Sequence, residues 1–187
     1  VVNEKIAKMA GSDDPLERAR AMDMLGGALG ASPHKIELLL KGTYDGDSDV
    51  VIHALFGLRD IGACGWKVCD RARELAEGGK QPKAVKESAG RLLEDIEKAM
   101  DGNVKMLADN PSVNVKVAAM GALADGGCLE ARSSIGKFLD SEDAKLSSAA
   151  ERALEMLNDV AAQRGRMLTA TGKMTSRIAP GELQRRK

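Results

Sequence analysis

The cysteines and histidines are the residues best equipped for nucleophilic or metal chemistry, and their spacing limits what they could do. Cys64 and Cys69 stand five apart, and His53 lies about three helical turns before Cys64. A tetrahedral zinc set would need Cys128 from a distant segment, and the tight C-x2-C pair that usually announces such a site is missing. Small packing residues are the better account of these thiols. Their odd number, their positions in or beside predicted helices and the lack of a preceding signal-peptide pattern point to reduced thiols in a cytosol, with no structural disulfide. His34 follows Ser32-Pro33 at a predicted helix start, whereas His53 is inside a helix among apolar neighbours. Neither has a nucleophile and an orienting acid near it in sequence, so no triad is supported and no catalytic residue is assigned.

Other polar groupings also fall short of a site. Asp45-Gly46-Asp47-Ser48-Asp49 begins like a calcium loop, but that loop needs Gly sixth and Glu twelfth, where this chain has Val50 and Phe56. A solvated turn that caps a helix explains the run. Gly26-Gly27-Ala28-Leu29-Gly30 follows a predicted helix and does not link a strand to one, so a phosphate-binding loop fails on context. Lys80, Lys83, Lys86 and Arg91 make a basic stretch at the start of a long helix, where exposed backbone N–H groups would add positive potential. Glu87, Glu94 and Asp95 balance it. No metal or cofactor is expected.

The elements that carry these residues read as helices. Hydrophobic residues make up 43% of the 187-residue chain but aromatics only 2%, so burial must come from Ala, Leu, Met, Val and Ile. Such a mixture favours helix contacts over sheet, and it leaves too few rings for a base-stacking surface. No apolar run is long enough to span a membrane. Formal charge cancels overall, yet residues 1–163 hold 21 Lys/Arg against 27 Asp/Glu, and residues 164–187 hold seven against one.

Turn signals recur at a nearly fixed interval: Ser12-Asp13-Asp14-Pro15, Asp47-Ser48-Asp49, Gln81-Pro82-Lys83, Asn110-Pro111-Ser112 and Ser141-Glu142-Asp143. Each separates a short apolar helix pattern from a longer, Ala-rich one, as in stacked units that cannot cover their own apolar faces. Capping residues open the long helices, with Asp14-Pro15 and Asn110-Pro111 the clearest cases. Apolar stripes of helical period follow at Leu16, Ala19, Met22, Met24, Leu25 and Ala28, and then at Val51, Ala54, Leu55, Leu58 and Ile61. Further stripes run through Val85, Ala89, Leu92, Leu93 and Ile96, and through Val115, Ala118, Ala119, Ala122 and Leu123. Gly26-Gly27, Gly62, Gly102 and Gly126-Gly127 fall where helix ends need positive φ. A last long helix is predicted near residues 144–164, with a basic, flexible tail after it.

Asp13-Asp14-Pro15-Leu16-Glu17-Arg18-Ala19-Arg20-Ala21-Met22 and Asn110-Pro111-Ser112-Val113-Asn114-Val115-Lys116-Val117-Ala118-Ala119 resemble the inter-helix turn and second helix of HEAT repeats, especially the short repeats of bilin-lyase-like proteins. The resemblance covers residues 1–163. It departs from the pattern at Gly78-Gly79-Lys80-Gln81-Pro82 and at Lys145-Leu146. It implies an all-α, right-handed α-solenoid of about five antiparallel helix pairs over 1–163, followed by the tail at 164–187.

Such arrays hold macromolecules on long surfaces. The expected function is a non-catalytic, cytoplasmic scaffold or adaptor for a protein partner. The residues expected to meet that partner are Arg18, Arg59, Lys83, Lys86, Arg91, Lys116 and Arg152 on the array, and Arg166, Lys173, Arg177, Arg185, Arg186 and Lys187 in the tail. A nucleic-acid-binding protein is the first alternative, through the basic tail. A bilin-lyase-like enzyme or chaperone is the second, with Cys64, Cys69 and His53 as the residues to test; that idea rests on fold analogy alone.

Overall fold

Five of the helices begin at the five turn signals. The computed structural model describes residues 4–27 and 31–170, with the last three as backbone only. The helices are α1 (Glu4–Ala10), α2 (Pro15–Gly27), α3 (Pro33–Gly42), α4 (Ser48–Asp60), α5 (Trp66–Glu77), α6 (Lys83–Asp109), α7 (Val113–Asp125), α8 (Arg132–Gly136) and α9 (Ala144–Ala170), with a 3-10 turn at Leu129–Ala131. No strand occurs among the described residues.

Side-chain capping marks the starts of three long helices, α2, α4 and α9, whereas Pro82 and Ser112 precede α6 and α7 without a side-chain cap bond. The Asp14 carboxylate accepts from the Leu16 N–H at 3.0 Å, and Asp47 accepts from Asp49 and Val50 at 2.9 and 3.3 Å. Asp143 does the same for Lys145 and Leu146. Each carboxylate satisfies donors that have no partner inside the helix. Pro15 is the first residue of α2 as expected, but Pro111 is not the first of α7, because Ser112 is the cap and Asn110 accepts from the Ser112 N–H. Two helices stop in the same way. Ala63 and Gly62 donate to Leu58 and Arg59 at the end of α4, and Cys128 and Gly127 donate to Leu123 and Ala124 at the end of α7. Gly62 and Gly127 carry the positive φ of 64° and 63° that this motif requires.

The short helices cover the backs of the long ones: α1 packs on α2, α3 on α4, α5 on α6 and α8 on α9. The long helices meet each other in the order α2, α4, α6, α7, α9. Fully buried alanines recur along them, at Ala21, Ala54, Ala89 and Ala150. Closest approach falls where α2 crosses α4: a Cβ added to Gly26 would stand 2.6 Å from the Gly57 Cα.

Several expectations are corrected here: Ala118 of the α7 stripe is exposed, and Gly26, Gly27 and Gly126 do not carry the positive φ expected of them. Leu16 and Met24, assigned to the apolar stripe of α2, are 56% and 45% exposed, because Ala19, Ala21, Met22 and Leu25 form the side that α4 covers; Ala28 lies outside the described residues. Gly102 ends no helix. It sits inside α6, which runs unbroken for 27 residues, about 40 Å, and so contains both the long helix of one unit and the short helix of the next. Ile96, Met100 and Leu107 keep the stripe buried past the glycine, and the Asn103 amide donates to the Ala99 carbonyl at 2.9 Å. A single Gly costs a helix only about 1 kcal/mol relative to Ala, too little to break it against that burial.

This fusion changes the course of the chain. Arg18 meets Asp45 near the starts of α2 and α4, and Gly26 meets Gly57 near their ends, so the two helices run parallel. Arg59 near the end of α4 meets Asp95 well into α6, which continues that direction. The three residues 110–112 then return the chain as α7, antiparallel to α6. Lys145 near the start of α9 meets Asn114 near the start of α7, so α9 runs parallel to α7 and opposite to α2 and α4. Two helix ladders of opposite sense therefore share α6 as their common member.

Gly26→Ala forces α2 and α4 apart and is expected to lower stability by roughly 1–3 kcal/mol, read from the urea midpoint. Gly102→Ala meets open space within α6 and is expected to raise stability by about 0.5–1 kcal/mol. A destabilised Gly102→Ala protein would show that α6 is not continuous there.

Candidate functional site

Four of the eight described cations singled out in the sequence, Arg18, Arg59, Lys83 and Lys116, meet groups of this chain itself. Arg18 clamps Asp45 through Nε and Nη2 at 2.8 and 2.9 Å, and its Nη1 donates to the carbonyls of Ser12 and Asp13. The paired guanidinium pulls the Asp45 carboxyl below its ordinary value. Arg59 bonds Asp95 at 2.6 Å across α4 and α6, which likewise lowers Asp95. Lys83 lies 3.5 Å from Glu87 one turn along α6, and the Lys116 ammonium lies 5.0 Å from the Phe138 ring centre. Lys86 is half-buried, while Arg91, Arg152 and Arg166 are exposed. The eight described candidates are spread over α2, α4, α6, α7 and α9. Lys173, Arg177, Arg185, Arg186 and Lys187 lie outside the described residues.

The residues of the second alternative are placed as follows. The His53 Nδ1 is 2.6 Å from an Asp23 carboxylate oxygen, joining α4 to α2. Burial pushes the Cys64 thiol upward, and the nearby Asp125 charge adds to that. Cys69 and Cys128 are raised for the same first reason. All three are free thiols, and the upward shift lowers the fraction of thiolate that nucleophilic attack needs. No group of three or more His, Cys, Asp or Glu side chains arranged to hold a metal occurs among the described residues. No helix among them is long and apolar enough to cross a membrane.

One cleft was not legible in the sequence. It has a volume of about 440 Å³ and opens between α5, α6, the turn after α7 and the end of α9. Its floor is made by the buried Ile96, Met100 and Ala131 and the half-buried Val104. Glu97 and Asp101 project from the same stretch of α6, and Glu130 comes from the 3-10 turn. These three carboxylates are exposed and have no ion-pair partner among the described residues. Cys69 and Cys128 also line the cleft; Arg73 donates to the first sulfur at 3.7 Å, and the second thiol donates to Glu130 at 3.8 Å.

One arginine builds this cleft. Arg164 holds Asp70 of α5 through Nε and Nη2, both at 2.9 Å, and its Nη1 donates to the Gly127 carbonyl at 3.0 Å. It thereby ties the end of α9 to the start of α5 and to the cap of α7. The expected boundary between array and tail, at 163/164, falls inside α9, and Arg164 belongs to the folded body. Sequence reasoning counted it among the basic residues of the tail at 164–187, and nothing local points to a carboxylate 94 residues away. Arg71 was missed for the same reason. It donates to the Thr43 carbonyl at 2.6 Å and stacks 3.8 Å from the Tyr44 ring centre, fastening α5 to the end of α3.

Chemically, the cleft offers recognition: an apolar floor beside unneutralised carboxylates, with thiols shifted away from the thiolate and guanidinium groups already engaged. Arg164→Ala is expected to lower stability by about 1–3 kcal/mol through loss of charge-assisted hydrogen bonds. Arg164→Lys should recover little of it, since an ammonium lacks the planar fork. Unchanged urea midpoints in both variants would show that the clamp does not hold α9 in place. No protein-family model matches the chain, and neither does any curated protein sequence.

Proposed function

We propose that the chain is a non-catalytic, cytoplasmic scaffold or adaptor that holds a protein partner on a HEAT-like helical array. In this proposal the array has about five antiparallel helix pairs with α6 serving two of them, and the stack is right-handed, as the resemblance implies. Support for repeat character comes from the capped starts of α2, α4 and α9 and from a buried alanine in each of α2, α4, α6 and α9. The single observation that carries the binding role is the cleft on α6, where Ile96, Met100 and Val104 lie beside Glu97 and Asp101. A cleft in which three exposed carboxylates outnumber two arginines, both set against Asp70, suits a macromolecular contact of positive charge.

The same observation weighs against nucleic acid as the partner of the array. Counterion release rewards cations that face a phosphate backbone, whereas Arg18, Arg59 and Arg164 are engaged with Asp45, Asp95 and Asp70. The basic stretch 171–187 is an auxiliary contact in this proposal, and the array carries the principal one.

Affinity capture with the full chain, with a chain ending at residue 170 and with Glu97→Lys/Asp101→Lys tests the proposal. Saturable retention of a discrete protein by the first two, reduced about tenfold or more by the charge reversal, is expected, a change of about 1.4 kcal/mol. Duplex DNA titrated at two salt concentrations should show negligible binding to the chain ending at 170. Tight, salt-sensitive DNA binding by that shortened chain, or equal capture by the charge-reversed protein, would remove the proposal.

A further inference from the structure

We infer that the cleft on α6 is a docking site for this chain's own basic C-terminal segment, residues 171–187. The argument begins with charge. Glu97, Asp101 and Glu130 converge on the cleft without ion-pair partners among the described residues, while Arg73 and Arg164 on the opposite wall both lie against Asp70. The cleft is therefore short of cations. Residues 171–187 supply five, Lys173, Arg177, Arg185, Arg186 and Lys187, against the single acid Glu182.

On the cleft side of α6, apolar and acidic residues stand in pairs four positions apart, Ile96-Glu97 and Met100-Asp101. The terminal segment carries the opposite charge beside apolar residues, at Lys173-Met174 and Arg177-Ile178. Each cation can meet a carboxylate, and the half-buried Val104 offers the neighbouring apolar contact. Tethering completes the case. Arg164 lines the cleft and α9 ends at Ala170, six residues or about 9 Å further on. Lys173 follows within about 10 Å of chain. So short a tether raises the local concentration of the segment at the cleft to the order of millimolar, enough for modest contacts to hold it.

This inference does not depend on which protein the array binds and stands if none is found. Its readout is the reactivity of Cys128, which lines the cleft, against Cys64, which does not. The full chain is labelled with an uncharged maleimide and each thiol is followed by mass spectrometry. Lys173→Glu/Arg177→Glu is expected to speed labelling of Cys128 several-fold and leave Cys64 unchanged. Combining it with Glu97→Lys/Asp101→Lys should restore protection, which a merely electrostatic effect on the thiol would not do. Adding a synthetic peptide of residues 171–187 to the first variant should also slow Cys128. Equal Cys128 rates in the parent and in Lys173→Glu/Arg177→Glu would overturn the inference. So would protection that grows with protein concentration, which would place a second copy in the cleft.

Discussion

The fold depends on how closely its long helices can approach. With only 2% aromatic residues, the chain has few large rings to fill space between helices, so stability must come from many short contacts at small separation. Buried alanines at Ala21, Ala54, Ala89 and Ala150, and the Gly26–Gly57 crossing, allow that separation. Leucines fill what remains: Leu25, Leu39, Leu55, Leu58, Leu92, Leu123 and Leu157 are all essentially buried. Because each long helix is covered on one side by its short partner and on another by the next long helix, the apolar interior is continuous from α2 to α9.

Charge follows from the same geometry. Helices packed through small residues bring their flanking polar side chains within reach of the neighbouring helix, and the chain uses this to bridge them: Arg18 to Asp45, His53 to Asp23, Arg59 to Asp95, Arg164 to Asp70. Exposed pairs such as Arg59–Asp95 contribute little stability. Arg164 and Arg71 differ, since each adds a backbone carbonyl as a second acceptor and joins elements distant in sequence. Such bonds fix the relative placement of whole helices.

A continuous α6 is the main departure from a uniform array. Had the helix broken at Gly102, the next short helix would have returned alongside it and the ladder would have continued in one direction. Instead α6 runs on, α7 turns back, and the two ladders meet at an angle of chain direction that the repeat alone would not produce. The cleft lies at this junction, bounded by α5 from the first ladder and by the α7 cap and α9 from the second. Its acidic and apolar character is that of α6 between Ile96 and Val104, the segment where an ordinary repeat would have placed a turn.

Much of this was written in local sequence. Helix type, the starts of α2, α4, α6, α7 and α9, the Gly62 and Gly127 stops and most of the stripes of α4 and α6 depend on residues within one or two turns of each other, through capping, propensity and period. The exposure of Leu16 and Met24, the helical state of Gly102 and the folding of Arg164 into the body could not be read in that way. Which side of α2 is covered depends on where α4 lies. Whether one glycine breaks a helix depends on how much burial its flanks gain from α5 and α7. Arg164 finds Asp70 only after 94 residues of chain have packed. Each of these outcomes is a balance between a local preference of about 1 kcal/mol and tertiary contacts of similar or greater size, and only the packed structure supplies the second quantity.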